Sequence, residues 1–341
     1  MSARPIAVSM GDPAGIGLEI AARTWAERDG ETPPFYVIGD QEAAMRAAHR
    51  AGIALTTMGV DESMCAQASG LFRQGLPFVP EALSQLETPG APCTANSRSV
   101  ISAIERGVSH VRSGLALALV TLPIAKSVLY DAGFRHPGHT EFIAHLTADM
   151  AYVGSRGPVM MLATEGLRVA LVTIHAPLSD VAATLTTADI VAKASVVLNA
   201  LSRDFGVTRP RLALAGLNPH AGESGSIGRE EIEVINPAAA QLRAEGHDVS
   251  DARPADTLFH AEARARYDAV LCMYHDQGLI PLKMLDFWGG VNITLGLPVV
   301  RTSPDHGTGF DIAGKGVARA DSFRAALRAA ADIAAYRAAR A

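Results

Sequence analysis

The sequence has few cysteines, few aromatic residues and no long uninterrupted apolar run. Of its 341 residues, 5% are aromatic and three are cysteines, Cys65, Cys93 and Cys272, which lie far apart with no CxxC pair. This pattern excludes a small disulfide-stapled scaffold and fits a reducing compartment. The most apolar stretch, residues 115–125, is too short for a membrane-spanning helix and is interrupted by Pro123.

Positive charge is not concentrated anywhere in the chain. The sequence has 30 Lys and Arg against 35 Asp and Glu, a net charge of −5. Nucleic-acid binding requires a concentrated basic surface, so nucleic acid is not an expected partner. The first residues, MSARPIAVSMGDP, lack the apolar core of a secretory signal. We therefore expect a soluble cytoplasmic protein that binds neither nucleic acid nor membrane.

Apolar strands alternate with helical stretches, which predicts an α/β protein. Residues 6–10, 35–38 and 115–121 are apolar runs separated by helical patterns. This alternation favours a mostly parallel sheet with helices on both faces. Residues 52–95 fit no predicted element, because prolines interrupt their short apolar pieces.

The length of 341 residues exceeds one ordinary core and predicts two lobes. We place lobe 1 at residues 1–125 and 300–341, since the last third returns to short glycine-rich loops, and lobe 2 at residues 126–299. Lobe 2 should contain a long helix that begins after Thr186 or Thr187, either of which can cap its first turn.

Three apolar runs in lobe 2 are each followed by a histidine: His175, His220 or His275. Polar residues just beyond buried parallel strands lie at the edge where open α/β sheets bind ligands. Three imidazoles there predict a divalent metal site with positions left for water or substrate. The spacings of 45 and 55 residues form no local ligand motif. Three unrelated residues at strand ends therefore remain the alternative.

Two glycine-rich segments are candidates for binding anions. Residues 11–19, GDPAGIGLE, predict either a turn whose N–H groups approach a phosphate or an ordinary tight βα turn. The segment is not GxGxxG. Residues 309–316, GFDIAGKG, end in Gly316 where a P-loop carries Ser or Thr, which argues against a nucleoside triphosphatase.

Lys283, Asn292 and Arg301 follow the third histidine. A cation, an amide and a guanidinium that converge on one pocket would bind a phosphorylated acid. Three separate surface or strand-end residues are the alternative. The residues alone thus predict an α/β protein with a candidate histidine–metal site and an anionic ligand.

Eight ordered blocks resemble the 4-hydroxythreonine-4-phosphate dehydrogenase family of vitamin B6 biosynthesis. They extend from about residue 5 to residue 335 and leave only residues 52–95 unmatched: GDPAGIGLE, PGHTEF, VTIHAPL, GLNPHAGE, PADT, MYHDQ, GVNITLGLP and RTSPDHGTGFDIAGKG. The resemblance implies the fold of the isocitrate and isopropylmalate dehydrogenases. That fold has two α/β/α lobes, with an active cleft between the lobes and at a homodimer interface.

The resemblance also implies roles for particular residues. The metal, zinc with cobalt or magnesium accepted, would bind His175, His220 and His275, with ligands shared between two subunits. The implied substrate contacts are His139, Thr140, Lys283, Asn292 and Arg301. A nicotinamide cofactor would bind without GxGxxG, along the loop that contains Asp305, Gly307, Asp311, Gly314 and Lys315. Candidates for proton transfer are Lys283, Asp256 and Asp276.

The implied reaction is oxidation of the secondary alcohol of 4-phosphohydroxy-L-threonine by NAD or NADP, with decarboxylation to 3-amino-2-oxopropyl phosphate. Leu18, Val299 and Gly309 depart from the usual family pattern at pocket edges, and residues 121–126, TLPIAK, vary a block of that pattern. These departures leave as the alternative a dehydrogenase of a phosphorylated four-carbon sugar acid, threonate or erythronate 4-phosphate. Alternatives from other classes are a metal hydrolase whose histidines activate water and a binding protein without turnover.

Overall fold

The computed structural model describes residues 4–340, which divide into two compact units. Unit 1 extends to Met150 and includes Pro298–Ala334, and unit 2 comprises Ala151–Leu297 and the chain from Ala335 onward. The sequence predicts that residues 126–150 belong to the second lobe and the C-terminal tail to the first. In the structure residues 126–150 belong to unit 1, and the tail from Ala335 belongs to unit 2.

The strands and helices alternate along most of the chain. The strands are β1 (Ile6–Ser9), β2 (Phe35–Gly39), β3 (Thr57–Gly59), β4 (Leu76–Pro80), β5 (Leu119–Thr121), β6 (Val159–Thr164), β7 (Leu167–Leu171), β8 (Arg211–Ala215), β9 (Asp248–Arg253), β10 (Ala269–Cys272), β11 (Val291–Leu295) and β12 (Arg301–Pro304). The α-helices are α1 (Gly17–Ala26), α2 (Gln41–Arg50), α3 (Ala68–Leu71), α4 (Ser97–Arg112), α5 (Lys126–Asp131), α6 (His139–Leu146), α7 (Leu178–Thr184), α8 (Thr187–Phe205), α9 (Asn236–Ala244), α10 (Ala261–Arg264), α11 (His275–Leu285) and α12 (Asp321–Ala338).

Unit 1 is built on a parallel sheet with the strand order β3-β4-β2-β1-β5-β12. Strands β1 and β2 are buried along their whole length, as parallel strands covered by helices on both faces must be. Helix α4 packs against β1, β2 and β5. The parallel α/β arrangement predicted for the first third of the chain is confirmed.

Residues 52–95, for which the sequence predicted no element, contribute two strands to this sheet. Strand β3 pairs with β4, and β4 pairs with β2. Strand β4 includes Pro77 and Pro80, and proline is rare inside a sheet because it cannot donate a backbone hydrogen bond. This is why the apolar run at residues 76–80 was not recognised as a strand.

Unit 2 has the strand order β11-β6-β7-β10-β8-β9. The pairs β11–β6 and β6–β7 are antiparallel, and the remaining pairs are parallel. Val270 and Cys272 of β10 belong to an apolar cluster with Leu279 and Leu282 of α11. Alternate residues of β10 face the opposite side, and α8 packs against β6, β8, β10 and β11. Helices therefore cover both faces of this sheet as well.

The three histidines lie several residues beyond the ends of the strands that precede them. Strands β7, β8 and β10 end at Leu171, Ala215 and Cys272, several residues before His175, His220 and His275. The histidines thus lie on the connections that follow these strands. His275 is the first residue of α11.

Within residues 4–340, no single helix is both long enough and apolar enough to cross a membrane. Only α7 and α8 together, bent by 98° relative to each other, meet the length and composition criteria. The first three residues of the segment examined for a secretory signal lie outside the described residues.

Candidate functional site

Two of the predicted metal ligands lie side by side at the carboxyl ends of β7 and β10. The ring centroids of His175 and His275 are 5.9 Å apart. They come together because β7 and β10 are adjacent parallel strands. Nδ1 of His275 lies 2.7 Å from Oδ1 of Asp276. A carboxylate on one ring nitrogen orients an imidazole and directs the other nitrogen to a metal.

His220 lies on a turn, Pro219–Gly225, whose backbone is left-handed. The φ angles of His220, Ala221, Glu223 and Ser224 are 53°, 52°, 46° and 57°. A left-handed conformation costs a non-glycine residue about 1 kcal/mol or more, and such strain concentrates at functional sites. The His220 side chain is 63% exposed, and its Nδ1 lies 2.7 Å from Oε1 of Glu223. His220 therefore resembles His275, because Nδ1 of each ring lies beside a carboxylate oxygen.

No three His, Cys, Asp or Glu side chains come close enough together to hold a metal ion among residues 4–340. A single chain therefore brings His175 and His275 together without His220. The donor chemistry nevertheless fits a divalent metal. His220 and His275 each have one ring nitrogen on a carboxylate, which leaves the other nitrogen on each ring as the ligand atom.

The polar loop that carries His220 is shaped by a buried carboxylate. Oε1 of Glu231, a residue that is 2% exposed, accepts a hydrogen bond from the Asn218 backbone N–H at 2.8 Å. The Asn218 side-chain amide donates to Glu230 at 2.6 Å and to Glu231 at 3.0 Å. These contacts fix the start of the turn, so the loop is ordered by its own carboxylates.

Gln277 ties two strand ends together beside the histidine pair. Its Oε1 accepts from the Met273 N–H at 2.7 Å, and its Nε2 donates to the Gly216 carbonyl at 2.5 Å.

Asp256 and Asp276, both proposed for proton transfer, line one cavity of about 540 Å³. The other residues that line this cavity are Ala255, Phe259, Tyr274, Gln277, Ile280, Pro281, Met284 and Leu285.

Lys283 and Asn292, two predicted substrate contacts, lie on α11 and β11 of unit 2. The Nζ atom of Lys283 is 5.3 Å from the centre of the Phe287 ring. Oδ1 of Asn292 is buried and accepts no hydrogen bond from residues 4–340. A buried polar atom without a partner requires an explanation, and a bound polar ligand supplies one.

In unit 1, a cationic cluster includes Arg301, the first residue of β12, which contacts Thr121, the last residue of β5. Arg301 is 3% exposed, and its Nη2 donates to Oγ1 of Thr121 at 2.6 Å. Burial lowers the pKa of Arg301 to about 10, although the nearby Glu141 carboxylate acts in the opposite direction. At this pKa Arg301 is still charged at neutral pH.

His139, another predicted substrate contact, is the first residue of α6 in this cluster. Burial lowers its pKa well below the usual value, and the positive charges of Arg301 and Lys126 lower it further. The imidazole is therefore neutral at pH 7. Its Nε2 is buried and has no hydrogen-bond partner among residues 4–340. Thr140, the next predicted contact, follows in the first turn of α6.

Lys126 and Glu141 approach the same point of the backbone, at Gly138. A Cβ atom at Gly138 would lie 3.4 Å from Nζ of Lys126 and 3.6 Å from Oε2 of Glu141. Gly138 precedes His139 and is the N-cap of α6, which has no side-chain cap. Lys126, His139 and Arg301 thus form a group of basic residues with one carboxylate beside it.

The predicted cofactor loop, residues 305–315, begins after β12 and packs on the glycine-rich turn of residues 11–16. The Ile16 N–H donates to the Thr308 carbonyl at 2.9 Å. A Cβ atom at Gly15 would lie 2.7 Å from the Thr308 oxygen, so this close approach requires glycine. The turn therefore has a structural role in supporting the loop.

Individual residues of the predicted cofactor loop differ in their surroundings. The Asp305 N–H is bound by Oγ of Ser322 at 2.9 Å, which anchors the start of the loop to α12. Gly307 and Gly314 differ in packing: the Cβ position of Gly307 is open, whereas that of Gly314 lies 3.0 Å from Pro89. The side chains of Asp311 and Lys315 are exposed.

The buried carboxylate of Glu87 stabilises a segment that contacts the predicted cofactor loop. Glu87, whose side chain is 1% exposed, binds Arg46 at 2.6 Å and Arg50 at 3.1 Å. The Gly90 N–H then donates to the Ala14 carbonyl at 2.8 Å, and the Gly90 Cβ position lies 2.8 Å from the Phe310 oxygen. Residues 87–90, which the sequence analysis left without a role, thus hold both glycine-rich segments.

Comparison with known proteins identifies the family of the chain. The family model described as pyridoxal phosphate biosynthetic protein PdxA matches residues 31–330. The chain belongs to the PdxA family. A relative from Caulobacter vibrioides, named 4-hydroxythreonine-4-phosphate dehydrogenase, is 54% identical over 99% of each chain. A relative of the same name from Maricaulis maris is 55% identical over 98% of each chain.

A solved structure supports the fold assignment within the PdxA family. The crystal structure of 4-hydroxythreonine-4-phosphate dehydrogenase from Klebsiella pneumoniae is 38% identical, with a TM-score of 0.84. The similarity covers 97% of this chain and 100% of that chain. The predicted α/β fold class and the family resemblance carried by the eight sequence blocks are both confirmed.

Sequence reasoning missed several polar residues of this PdxA-family chain. Lys126 and Glu141 belong to the unit 1 cluster, and Glu223 and Glu231 position His220 and its loop. The sequence did contain an indication for Lys126. It is the last residue of the segment TLPIAK, which begins with the final residue of β5. The carboxylates carried no such signal, since their partners are defined only by the folded loop.

Proposed function

We propose that this chain is a metal- and NAD(P)-dependent dehydrogenase of 4-phosphohydroxy-L-threonine. It oxidises the secondary alcohol, and decarboxylation then gives 3-amino-2-oxopropyl phosphate in pyridoxal phosphate biosynthesis. The observation that carries the proposal is the similarity over 99% of each chain to a relative named for this activity. The basic residues of unit 1 support a phosphorylated substrate, because guanidinium and ammonium groups bind phosphate strongly.

The proposed substrate contacts are His139, Thr140, Lys283, Asn292 and Arg301. The buried, unpartnered atoms Nε2 of His139 and Oδ1 of Asn292 support this assignment, since substrate groups would satisfy both. Arg301 orients the anion because its guanidinium is itself held by Thr121.

The proposed metal ligands are His175, His220 and His275, with zinc as the expected metal and cobalt or magnesium as alternatives. When bound, a divalent metal lowers the pKa of an alcohol and stabilises negative charge on oxygen. Asp276 and Glu223 hold the rings of His275 and His220 in orientation. Because His220 is exposed and outside the His175–His275 pair, we propose that a second copy of the chain shares in the ligand set.

The proposed cofactor, NAD or NADP, lies along the loop that contains Asp305, Gly307, Asp311, Gly314 and Lys315. Support comes from the rigid base of this loop, which is bound by the turn at residues 11–16 and by residues 87–90. The open space at Gly307 would allow a ligand to approach the backbone. The cofactor accepts the hydride, and the protein supplies orientation and charge.

The proton of the alcohol requires a basic group, and the candidates are Lys283, Asp256 and Asp276. Asp276 is hydrogen-bonded to the ring of His275, so it is already occupied in orienting that ring. Asp256 is exposed and lines the same cavity as Asp276. Lys283 differs from both carboxylates. Its uncharged amine form could accept a proton, and its ammonium form could bind phosphate.

We propose that the protein is a cytoplasmic homodimer with shared active sites. Support for the dimer comes from large apolar side chains on and after α11: Ile280, Met284, Phe287 and Trp288 are 62%, 81%, 60% and 49% exposed. A patch of this kind marks an interaction surface. The free cysteines, Cys65, Cys93 and Cys272, support a reducing compartment.

Turnover of the purified protein tests the proposed function. The protein is incubated with 4-phosphohydroxy-L-threonine, a divalent metal and NAD or NADP, and reduced nicotinamide, carbon dioxide and 3-amino-2-oxopropyl phosphate are measured. The proposal predicts equal amounts of all three and no reaction without nicotinamide. Turnover that needs no nicotinamide would instead indicate a metal hydrolase. Binding without any product would indicate a binding protein.

A further inference from the structure

We propose that Lys126 is a further binding residue of the unit 1 site, where its ammonium and the imidazole of His139 bind the phosphate of the substrate together with Arg301. This inference rests on the proposed function, because it assumes a phosphorylated substrate. It assigns a role to a residue for which neither the sequence motifs nor the family resemblance implied one.

The position of the Lys126 ammonium is the first argument. A Cβ atom at Gly138 would lie 3.3 Å from Cε and 3.4 Å from Nζ of Lys126, so the end of this side chain lies against the backbone at the start of α6. The absence of a side chain at Gly138 leaves room for this approach. Helix α6 has no side-chain cap on its first N–H groups. Those N–H groups and the ammonium therefore lie at the same place.

This arrangement is unfavourable without an anion. The first turn of a helix carries partial positive charge and favours anions over cations. Lys126 nevertheless lies beside the first turn of α6, and its charge acts on His139 together with that of the buried Arg301. Glu141 supplies one negative charge near the same point. An incoming phosphate would compensate the remaining positive charge and the partial charge of the helix end.

A buried, unpartnered nitrogen independently indicates a ligand. Nε2 of His139 is buried and has no hydrogen-bond partner in the described chain. A buried polar nitrogen is normally satisfied by protein or water, so its isolation indicates a group that is bound during function. Burial and the two cations keep this imidazole neutral, and a phosphate would supply both an acceptor and a counter-charge.

The alternative is that Lys126 is an ordinary exposed lysine at the beginning of α5. In that case its removal would leave anion binding unchanged, although the pKa of His139 would still rise with the loss of a nearby positive charge. The two explanations therefore differ in measurable ways. Because Lys126 is exposed, its substitution should leave folding intact, and this makes the comparison practicable.

The test uses Lys126→Gln and Lys126→Arg, with Lys193→Gln on α8 as the matched control. Inorganic phosphate is titrated into each full-length protein by calorimetry, and the ionisation of His139 is followed by NMR. We expect Lys126→Gln to weaken phosphate binding about tenfold, the loss of one charge-assisted contact. The pKa of His139 should rise when the ammonium is removed. Lys126→Arg should retain most of the binding, and Lys193→Gln should behave as the wild type.

Steady-state kinetics supply a further readout. With 4-phosphohydroxy-L-threonine, Lys126→Gln should raise KM about tenfold with kcat nearly unchanged, because the contact binds a part of the substrate remote from the reacting carbon. Unchanged phosphate affinity in Lys126→Gln would overturn the proposal, whatever the pKa of His139. So would a wild-type protein that binds no phosphate. If the wild type fails to oxidise this substrate, the proposed function fails, while the phosphate titrations still decide the role of Lys126.

Discussion

At the scale of single residues, two histidines connect the structure to pH. His110 is 3% exposed, and its Nδ1 lies 2.8 Å from the Tyr36 hydroxyl. Its Nε2 is 3.5 Å from Glu62, too far for a strong hydrogen bond. Burial lowers the pKa of both His110 and His139. Both residues are therefore neutral in the folded protein at pH 7.

These two histidines should make stability fall in mild acid. The unfolded chain, in which histidine has a pKa near 6.5, binds more protons than the folded chain below that pH, so the free energy of unfolding falls as the pH falls below about 6.5. We expect Tm to decline from pH 7.5 to pH 5. The variant His110→Gln, which cannot titrate, should show a smaller decline. Equal declines in the two proteins would contradict this assignment.

The left-handed turn that carries His220 offers a second test at this scale. Ser224 has a φ of 57° and is exposed, so Ser224→Gly should relieve strain and stabilise the protein by about 1 kcal/mol. The control is Ser226→Gly, because Ser226 has a φ of −80° and its Oγ donates to the Glu223 carbonyl. Ser226→Gly should destabilise. Denaturant unfolding measures both, and destabilisation by Ser224→Gly would show that the turn is not strained.

The histidines also show how much of the site the sequence could predict. Apolar runs followed by polar residues are visible in the letters, and His175 and His275 do lie together. The position of His220 could not be predicted in this way, because a run of left-handed residues decides where its ring lies. Side chains such as Lys126 and Glu141 meet only through the fold of the backbone at Gly138.

At the scale of elements, the brace around Glu87 links an unassigned region to the proposed cofactor loop. Hydrogen bonds from Arg46 and Arg50 keep the pKa of Glu87 low even though burial acts to raise it. The charged carboxylate holds residues 87–90, and Gly90 contacts Phe310 in the loop.

Glu87→Gln should therefore loosen the loop. Because the two arginines remain partly solvated, we expect a loss of about 1–2 kcal/mol in stability rather than a collapse of the fold. The Kd for NAD should rise several-fold, whereas the affinity for inorganic phosphate in unit 1 should stay the same. The matched control is Glu105→Gln, whose carboxylate makes only an exposed ion pair with Arg98 at 3.9 Å. Equal NAD affinity in Glu87→Gln and the wild type would contradict the bracing role.

Elements with strong local signals were predicted, and those without them were missed. Thr186, one of the two residues expected to cap α8, does so by accepting the Asp189 N–H. In contrast, β3 has three residues and β4 contains two prolines, so tertiary pairing rather than local preference forms them.

At the scale of the whole molecule, the exposed apolar residues of α11 lead to a prediction about assembly. If a second copy covers this surface, light scattering should give twice the chain mass of 35.7 kDa. Met284→Asp, at a position that is 81% exposed, should shift the protein toward monomers, because it places a charge in an apolar interface. Leu86→Asp, at a position that is 67% exposed in unit 1, is the control and should leave the mass unchanged. A Met284→Asp protein with the wild-type mass would exclude this surface as the interface.

The substrate preference of the whole enzyme tests the central claim most directly. The measurement compares kcat/KM for 4-phosphohydroxy-L-threonine and for threonate 4-phosphate, from the rate of nicotinamide reduction by one preparation of the metal-loaded protein. We predict a clear preference for 4-phosphohydroxy-L-threonine, because relatives that share more than half of its residues are named 4-hydroxythreonine-4-phosphate dehydrogenase. A higher kcat/KM for threonate 4-phosphate would contradict the account and assign the protein to sugar-acid catabolism.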